Sequence, residues 1–458
     1  MYHFFCGTKT RNLGLYRHSM SVVLGSVFAV ILAVPLNADE TQSAAMTLGS
    51  AVQLALSQNP ELQVYRFREL GLQGLAKTAN LRPQFELGAE AENLGGTDDY
   101  NGVDGAEFTL ALSSVIELGG KRDARVAAVN AQRLLFDGER QALALDLMGE
   151  VTRRYVEVVA SQARLDLAVK VRALATDVIQ SVERRTRAGA APEAELLRAR
   201  AQLAQAQLQV SAAQNHIHAS RLSLSVLWGD VEPDFVRVDG SLINLGSIGD
   251  FEALFQRAVQ NPAISSFASE ERLRQAEYQL AQSQSRTDIG WSVGIRQFQD
   301  TNDTALVAGV NIPLDTSGRN TGALQSARAA RDEVTVRRES AMLTLRARLF
   351  EAYQQRRLGI ESANALREEV IPALTRALQQ TQAAYESGRY GYQEWVAARQ
   401  ELISAEYALI DAASASLQSG ATIEQLTEQN ERLQQQNADI MARLDALEEM
   451  LNNPSQDQ

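Results

Sequence analysis

The side chains that most often carry chemistry are few in this chain of 458 residues, and their spacing does not suit it. His216 and His218 lie two residues apart, so on a helix they point to different faces, whereas a helical metal site needs a separation of three or four. Asp98 and Asp99, and later Asp300 and Asp303, fall in loops between apolar runs, where acidic residues serve as solvated turn formers. The sequence carries no phosphate-binding glycine loop, no nucleophile with a matching base and no cofactor fingerprint. The expectation is a protein that is not an enzyme, with no cofactor and no metal centre. A net charge of −12 and a pI near 5.1 give nucleic acid or an anionic surface no reason to bind.

The one cysteine, Cys6, belongs to what reads as an export signal. Lys9, Arg11 and Arg17 precede the apolar run from Ser21 to Val34, and Ala38 offers a small residue at the cleavage position, so 1–38 is the expected signal peptide. The run is too short to span a bilayer. Cleavage would leave neither disulfide nor thiolate chemistry, and no cysteine to bear a lipid at the new N-terminus. No later apolar stretch approaches a transmembrane helix, so any further crossing of a membrane falls to β-strands.

The elements that position the remaining residues are written twice. Asn59-Pro60, Gly119-Gly120-Lys121 and Arg187-Ala188-Gly189 recur as Asn261-Pro262, Ser317-Gly318-Arg319 and Glu386-Ser387-Gly388, displaced by 202, 198 and 199 positions. Each copy opens with short helices around its Asn-Pro step; proline suits the first turn of the second one. A hairpin follows, with strands near 84–95 and 106–117 in the first copy and near 289–300 and 304–315 in the second. Its apolar residues alternate, as in Phe108, Leu110 and Leu112 or Trp291, Val293 and Ile295. Then comes a helix of unusual length; Lys121 to Arg187 alone would span about 100 Å. Val151, Tyr155, Val158 and Leu165 carry coiled-coil spacing along it. Gly189 and Gly388 mark tight turns, and on the returning helices Leu196, Leu203 and Val210 match Trp395, Leu402 and Leu409 at a period of seven. Pro372 should bend or end the second long helix. The expected organisation is a first repeat over 39–228, a linker over 229–248, a second repeat over 249–419 and a coiled-coil tail over 420–458. In that tail Ile423, Asn430, Asn437, Leu444 and Leu451 share one heptad position, and Leu426, Leu433, Ile440 and Leu447 the other. Four amphipathic strands cannot close alone in lipid, so a membrane role requires several copies to pool them. A periplasmic coiled-coil scaffold or adaptor without a barrel is the alternative; it has no use for alternating apolar strand faces.

The duplicated order, together with LALSQNPEL at Leu54–Leu62, IELGGKR at Ile116–Arg122 and YESGRYGYQEW at Tyr385–Trp395, resembles the TolC family of outer-membrane efflux proteins. IELGGKR and the later IPLDTSGRN at Ile312–Asn320 are most similar to its heavy-metal, CzcC-like branch. The resemblance implies a mainly α fold with a small β part: duplicated long helical hairpins forming a trimeric α-barrel, and four strands per chain contributing to a shared 12-stranded outer-membrane β-barrel. It also implies a homotrimer in the outer membrane of a Gram-negative bacterium, touching lipid and reaching far into the periplasm. There it would join a periplasmic adaptor (membrane fusion protein) and an inner-membrane pump of the RND type, and act as a passive duct exporting substrates such as heavy-metal cations. The coiled-coil tail is not part of the usual family plan.

The same resemblance nominates the functional residues. Family members place an acidic residue about six positions after the turn glycine, at the narrow periplasmic entrance; the matching positions are Glu195 and Glu394. Three copies would supply six carboxylates around one axis, an arrangement that selects cations. Read from the residues alone, both are ordinary helix-start glutamates favoured by the macrodipole. Tyr385, Arg389 and Tyr390 flank the second turn, where the family holds the closed entrance with tyrosine and basic side chains. Gly189 and Gly388 are expected as turn glycines, and in the family those turns meet the adaptor.

Overall fold

A computed structural model describes residues 45–97, 102–314, 318 and 320–427. The predicted signal peptide, the acidic pair Asp98-Asp99, Ser317, Arg319 and the tail from residue 428 lie outside the described residues. Each repeat begins with two short helices, α1 (Leu48–Gln58) and α2 (Pro60–Ala79), then α5 (Phe251–Ala258) and α6 (Pro262–Gln284). The first repeat continues with β1 (Glu86–Glu92), β2 (Glu107–Ile116), α3 (Lys121–Arg187) and α4 (Glu193–Ser225). The second continues with β3 (Ile289–Phe298), β4 (Thr304–Asn311), α7 (Thr321–Ala365), α8 (Ile371–Glu386) and α9 (Tyr392–Thr427).

The Asn-Pro step does more than start a helix. Asn59 Oδ1 accepts from the backbone of Glu61 at 2.9 Å and of Leu62 at 3.1 Å, while its Nδ2 donates to the Leu227 carbonyl at 2.8 Å. Asn261 does the same, accepting from Ala263 at 2.9 Å and donating to the carbonyls of Gln425 at 3.0 Å and Leu426 at 3.3 Å. One side chain thus caps its own helix and donates to carbonyls of another segment, so that α2 is held against the 3-10 turn Val226–Trp228 that follows α4, and α6 against the last described turn of α9. Replacing Asn261 by alanine should cost about 2 kcal/mol, roughly 1 for the cap and a similar amount for the lost hydrogen bonds to the Gln425 and Leu426 carbonyls. Chemical denaturation followed by helical circular dichroism tests this, and a loss below about 0.5 kcal/mol would refute the double role.

Packing orders the helices side by side. The α2 and α4 column lies on α3, α3 on the α6 and α9 column, and that column on α7 and α8, so α2/α4 and α7/α8 form the two outer edges. Along α3 the predicted Val151, Tyr155 and Val158 are buried, but Leu165 is only half-buried and the seam passes instead through Leu167, Val171, Ala175, Val178 and Val182. The reason is that α3 faces α4 on one side and α9 on another, which widens its apolar surface beyond a single stripe. Pro372, in the first turn of α8, directly follows a π-helical segment, Leu366–Val370, that joins α7 to α8. A proline lacks the donor that the α ladder needs and its ring crowds the carbonyl four residues back, and the wider turn relieves both while the helix runs on.

Two stretches differ in character from their expectation. Residues 229–248 are tied down: Met46 N donates to the Arg237 carbonyl at 3.1 Å, Asp239 N to Met46 O at 2.9 Å, and the Tyr155 hydroxyl to Met46 O at 2.8 Å. Phe235, Val238, Leu242 and Leu245 are buried there against Ala51, Ala55, Val151 and Trp228. Their apolar content makes the joining segment part of a core. Helix α9 likewise crosses position 419 without a break, and Ile423 and Leu426 pack on Phe255, Ile264, Leu345 and Leu349. The helix therefore belongs to the second repeat through Thr427.

The four strands form one antiparallel sheet in the order β1-β2-β3-β4, so β2 and β3 join the two repeats. Across the sheet Ala89, Leu110, Ile295 and Leu306 are in register, as are Leu87, Leu112, Val293 and Ala308. The opposite face is mostly small and polar, though it includes Val115, Phe298 and Val307, and along its strands it carries Glu86, Glu90, Glu92 and Glu107 with one cation, Arg296. Arg296 is paired with Glu107 at 2.8 Å and Glu92 at 2.9 Å. Among the described residues no helix is long and apolar enough to cross a membrane.

Candidate functional site

The two helical hairpins meet at the end opposite the sheet. Both turns close in the same way: Gly189 has φ +72° and Gly388 +74°, a conformation that glycine alone adopts without strain. Ala190 N donates to Arg185 O at 2.8 Å and Gly189 N to Thr186 O at 3.0 Å, matched by Arg389 N to Ala384 O at 2.8 Å and Gly388 N to Tyr385 O at 2.9 Å. This paired pattern ends a helix by satisfying its last carbonyls.

Beneath the turns lies an aromatic cluster. Tyr385 is 1% exposed and stacks on Trp395 with ring centroids 4.9 Å apart, while Tyr392 meets it edge-on at 6.3 Å. Val178, Val182 and Ala199 from the first hairpin complete the cluster, so it fastens the two repeats together. The Tyr385 hydroxyl donates to Glu195 Oε2 at 3.0 Å. Arg185 covers the other face of the ring, its guanidinium carbon 4.5 Å from the centroid. From there it donates to the carbonyls of Tyr385, Glu386 and Ala190, which belong to both turns. Arg185 is the central residue that sequence reasoning missed. Its signal was available in the duplication, where position 185 aligns with Ala384 at the repeat offset and so differs between the copies.

Of the predicted residues, Glu195 and Tyr385 are brought together. Glu394 is exposed in the first turn of α9, its carboxylate lying over Gly391, and has no phenol partner because Thr186 occupies the first-repeat position equivalent to Tyr385. Arg389 donates to the Ser387 hydroxyl at 3.0 Å on the surface, and Tyr390 is 53% exposed, so neither joins the cluster.

Burial, and then the hydrogen bond to Glu195, pushes the Tyr385 phenol up from 10.0 to about 12. A raised value favours the neutral form in the packed tip, so the contribution is intact below pH 10 and is lost as pH rises toward 12. Ultraviolet titration should show a last phenol ionising in that window as the tip loosens. That fraction should vanish in Tyr385→Phe; if it persists, another tyrosine carries it.

Elsewhere His216 Nε2 lies 3.0 Å from Glu157 Oε1. Burial would raise the Glu157 carboxyl, but hydrogen bonds from His216 and Arg164 hold it below its ordinary range, which identifies His216 as a structural partner. Among the described residues no three His, Cys, Asp or Glu side chains gather as a metal site.

Comparison with known proteins gives the same duplication. A family model described as outer membrane efflux protein matches residues 51–230 and 254–429. The cobalt-zinc-cadmium resistance protein CzcC of Cupriavidus metallidurans is 27% identical over 354 residues, covering 77% of this chain and 83% of that protein. Among solved structures, the channel protein CusC superposes with a TM-score of 0.70 at 17% identity over 83% of this chain and 92% of its own. The outer membrane protein VceC of Vibrio cholerae gives 0.67 at 19% identity over 84% and 97%.

Proposed function

Because the chain belongs to the outer membrane efflux protein family, we propose that it is a passive duct through which a tripartite pump discharges substrate across the outer membrane. The observation that carries this reading is the sheet: one face is apolar along all four strands, and its edges β1 and β4 are unpaired. Such edges are untenable in lipid unless another copy completes the ladder, and three copies would give twelve strands, within the range of known barrels.

The helical edges support the same closure. On α7, Val336, Leu343 and Phe350 recur every seven residues and are exposed, and Val64, Phe67 and Leu75 are exposed on α2 at the opposite edge. Stripes of this size on two different edges suit a head-to-tail ring in which α7 of one copy packs against α2 of the next. The aromatic tip is then the closed entrance, with Glu394 and its symmetry mates as an acidic ring, Glu195 as the acceptor that holds Tyr385, and Arg389 and Tyr390 exposed where a neighbouring copy could meet them. Gly189 and Gly388 shape the turns that an adaptor would grip. The four glutamates against one arginine on the inner strand face favour cations, in keeping with heavy-metal cargo.

Planar-bilayer recordings on protein purified from outer membrane test the reading. A cation-preferring conductance is expected, its cation preference weakened in Glu394→Gln; absence of any conductance from correctly inserted protein would refute the duct.

A further inference from the structure

Resting on the reading of the tip as a closed entrance, we propose that Arg399 is a gating residue, a guanidinium sealed into the closed tip with too few acceptors, which biases the entrance toward opening. Arg399 lies on α9, one helical turn beyond Trp395, and is 8% exposed. Its Nη2 donates to Gln202 Oε1 at 2.5 Å, an acceptor already shared with the Tyr392 hydroxyl at 3.2 Å. Its Nε and Nη1 are buried with no hydrogen-bond partner. Arginine carries five N–H donors and no neutral alternative at physiological pH, so the fork cannot relieve itself by losing a proton.

The repeat makes the isolation specific. At the offset of 199 positions Arg399 corresponds to Arg200, which is exposed and reaches Glu183 at 3.4 Å. The first copy thus gives its arginine water and a carboxylate, whereas the second buries its arginine against a neutral amide. Burial also lowers the Arg399 pKa, as expected where the charged form is disfavoured. Around it the tip is held by the Tyr385 and Trp395 stack and by Arg185, whose Nη1 and Nη2 bond three carbonyls although its Nε is buried without a partner. A stable aromatic lock and an under-satisfied charge one turn away oppose each other, and a closed state that is only shallowly preferred follows. Opening returns the guanidinium to water.

Replacing a buried, poorly paired ion by an apolar side chain of similar length stabilises the packing that encloses it. Arg399→Met should therefore slow chymotryptic cleavage at the tip aromatics of the full-length, reconstituted protein by roughly tenfold and lower its open fraction in single-channel recordings by a similar factor. Gln202→Glu, which supplies the missing carboxylate to an intact Arg399, should do the same. Gln202→Glu/Arg399→Met, with the buried acid now lacking a cation and keeping only the Tyr392 hydroxyl, should reverse the effect, and Arg200→Met should leave both readouts at wild-type values. Unchanged or faster cleavage in Arg399→Met, or a more open channel in Gln202→Glu, would overturn the proposal. If wild-type protein carries no current yet Arg399→Met still slows cleavage, the duct reading fails and the role of Arg399 in closing the tip stands. If wild-type protein conducts and both single variants match it, the Arg399 proposal fails alone.

Discussion

Val293→Arg or Leu112→Arg should remove most assembled protein from the outer membrane. The two residues face each other across the β2 and β3 ladder, in the middle of the apolar face, and Val293 is half-exposed there. An arginine at the bilayer midplane costs roughly 2–4 kcal/mol, and symmetry would repeat that cost in every copy of the ring. Ser292→Arg, one residue along and on the opposite face, should be far better tolerated because that face would look into water. The quantity to measure is heat-modifiable, membrane-inserted protein on gels. Equal yields from Val293→Arg and Ser292→Arg would mean that the sheet does not discriminate lipid from water.

Tyr385→Ala should open the tip. The ring is buried, stacked on Trp395 and covered by Arg185, so truncation loses about 3–5 kcal/mol of packing, with the aromatic pair contributing roughly 0.5–1.5 of its own. Glu195 loses its donor in the same step. Conductance should rise and the two hairpins should become susceptible to protease. Tyr385→Phe separates the causes, since it keeps the stack and removes only a charge-assisted hydrogen bond, for which about 1.5–3 kcal/mol is the usual range. An alanine variant with wild-type conductance would show that the cluster is core packing without a gating role.

The parts of the fold that were legible are those with local signatures. Lys121 to Arg187 was readable as one helix because a basic step after two glycines opens it, a turn glycine follows it and no proline lies between. The hairpins were readable from strict alternation, and the turns at Gly189 and Gly388 from a glycine placed where two heptad patterns meet. The pairing of β2 with β3 was not, because their sequence separation leaves no local trace of which strands meet. The second role of Asn59 and Asn261 was hidden for a similar reason: a cap has a motif, but the carbonyls it also satisfies come from residues more than 160 positions away. At the tip, family likeness found Glu195 and Tyr385 but could not tell them from Glu394, Arg389 and Tyr390, which have the right types and stand outside the cluster. Arg185 and Arg399 went unnoticed because their importance lies in what surrounds them, a ring face and two turns for one and a lack of acceptors for the other.

The claim on which the rest depends is that several copies pool their strands into one barrel. Native mass spectrometry of the complex extracted from outer membrane in mild detergent measures this directly. Three chains per particle, falling to monomers when Val336, Leu343 and Phe350 on α7 are changed to aspartate, is the expected result. A monomer in the wild-type protein, or any copy number other than three, would contradict it.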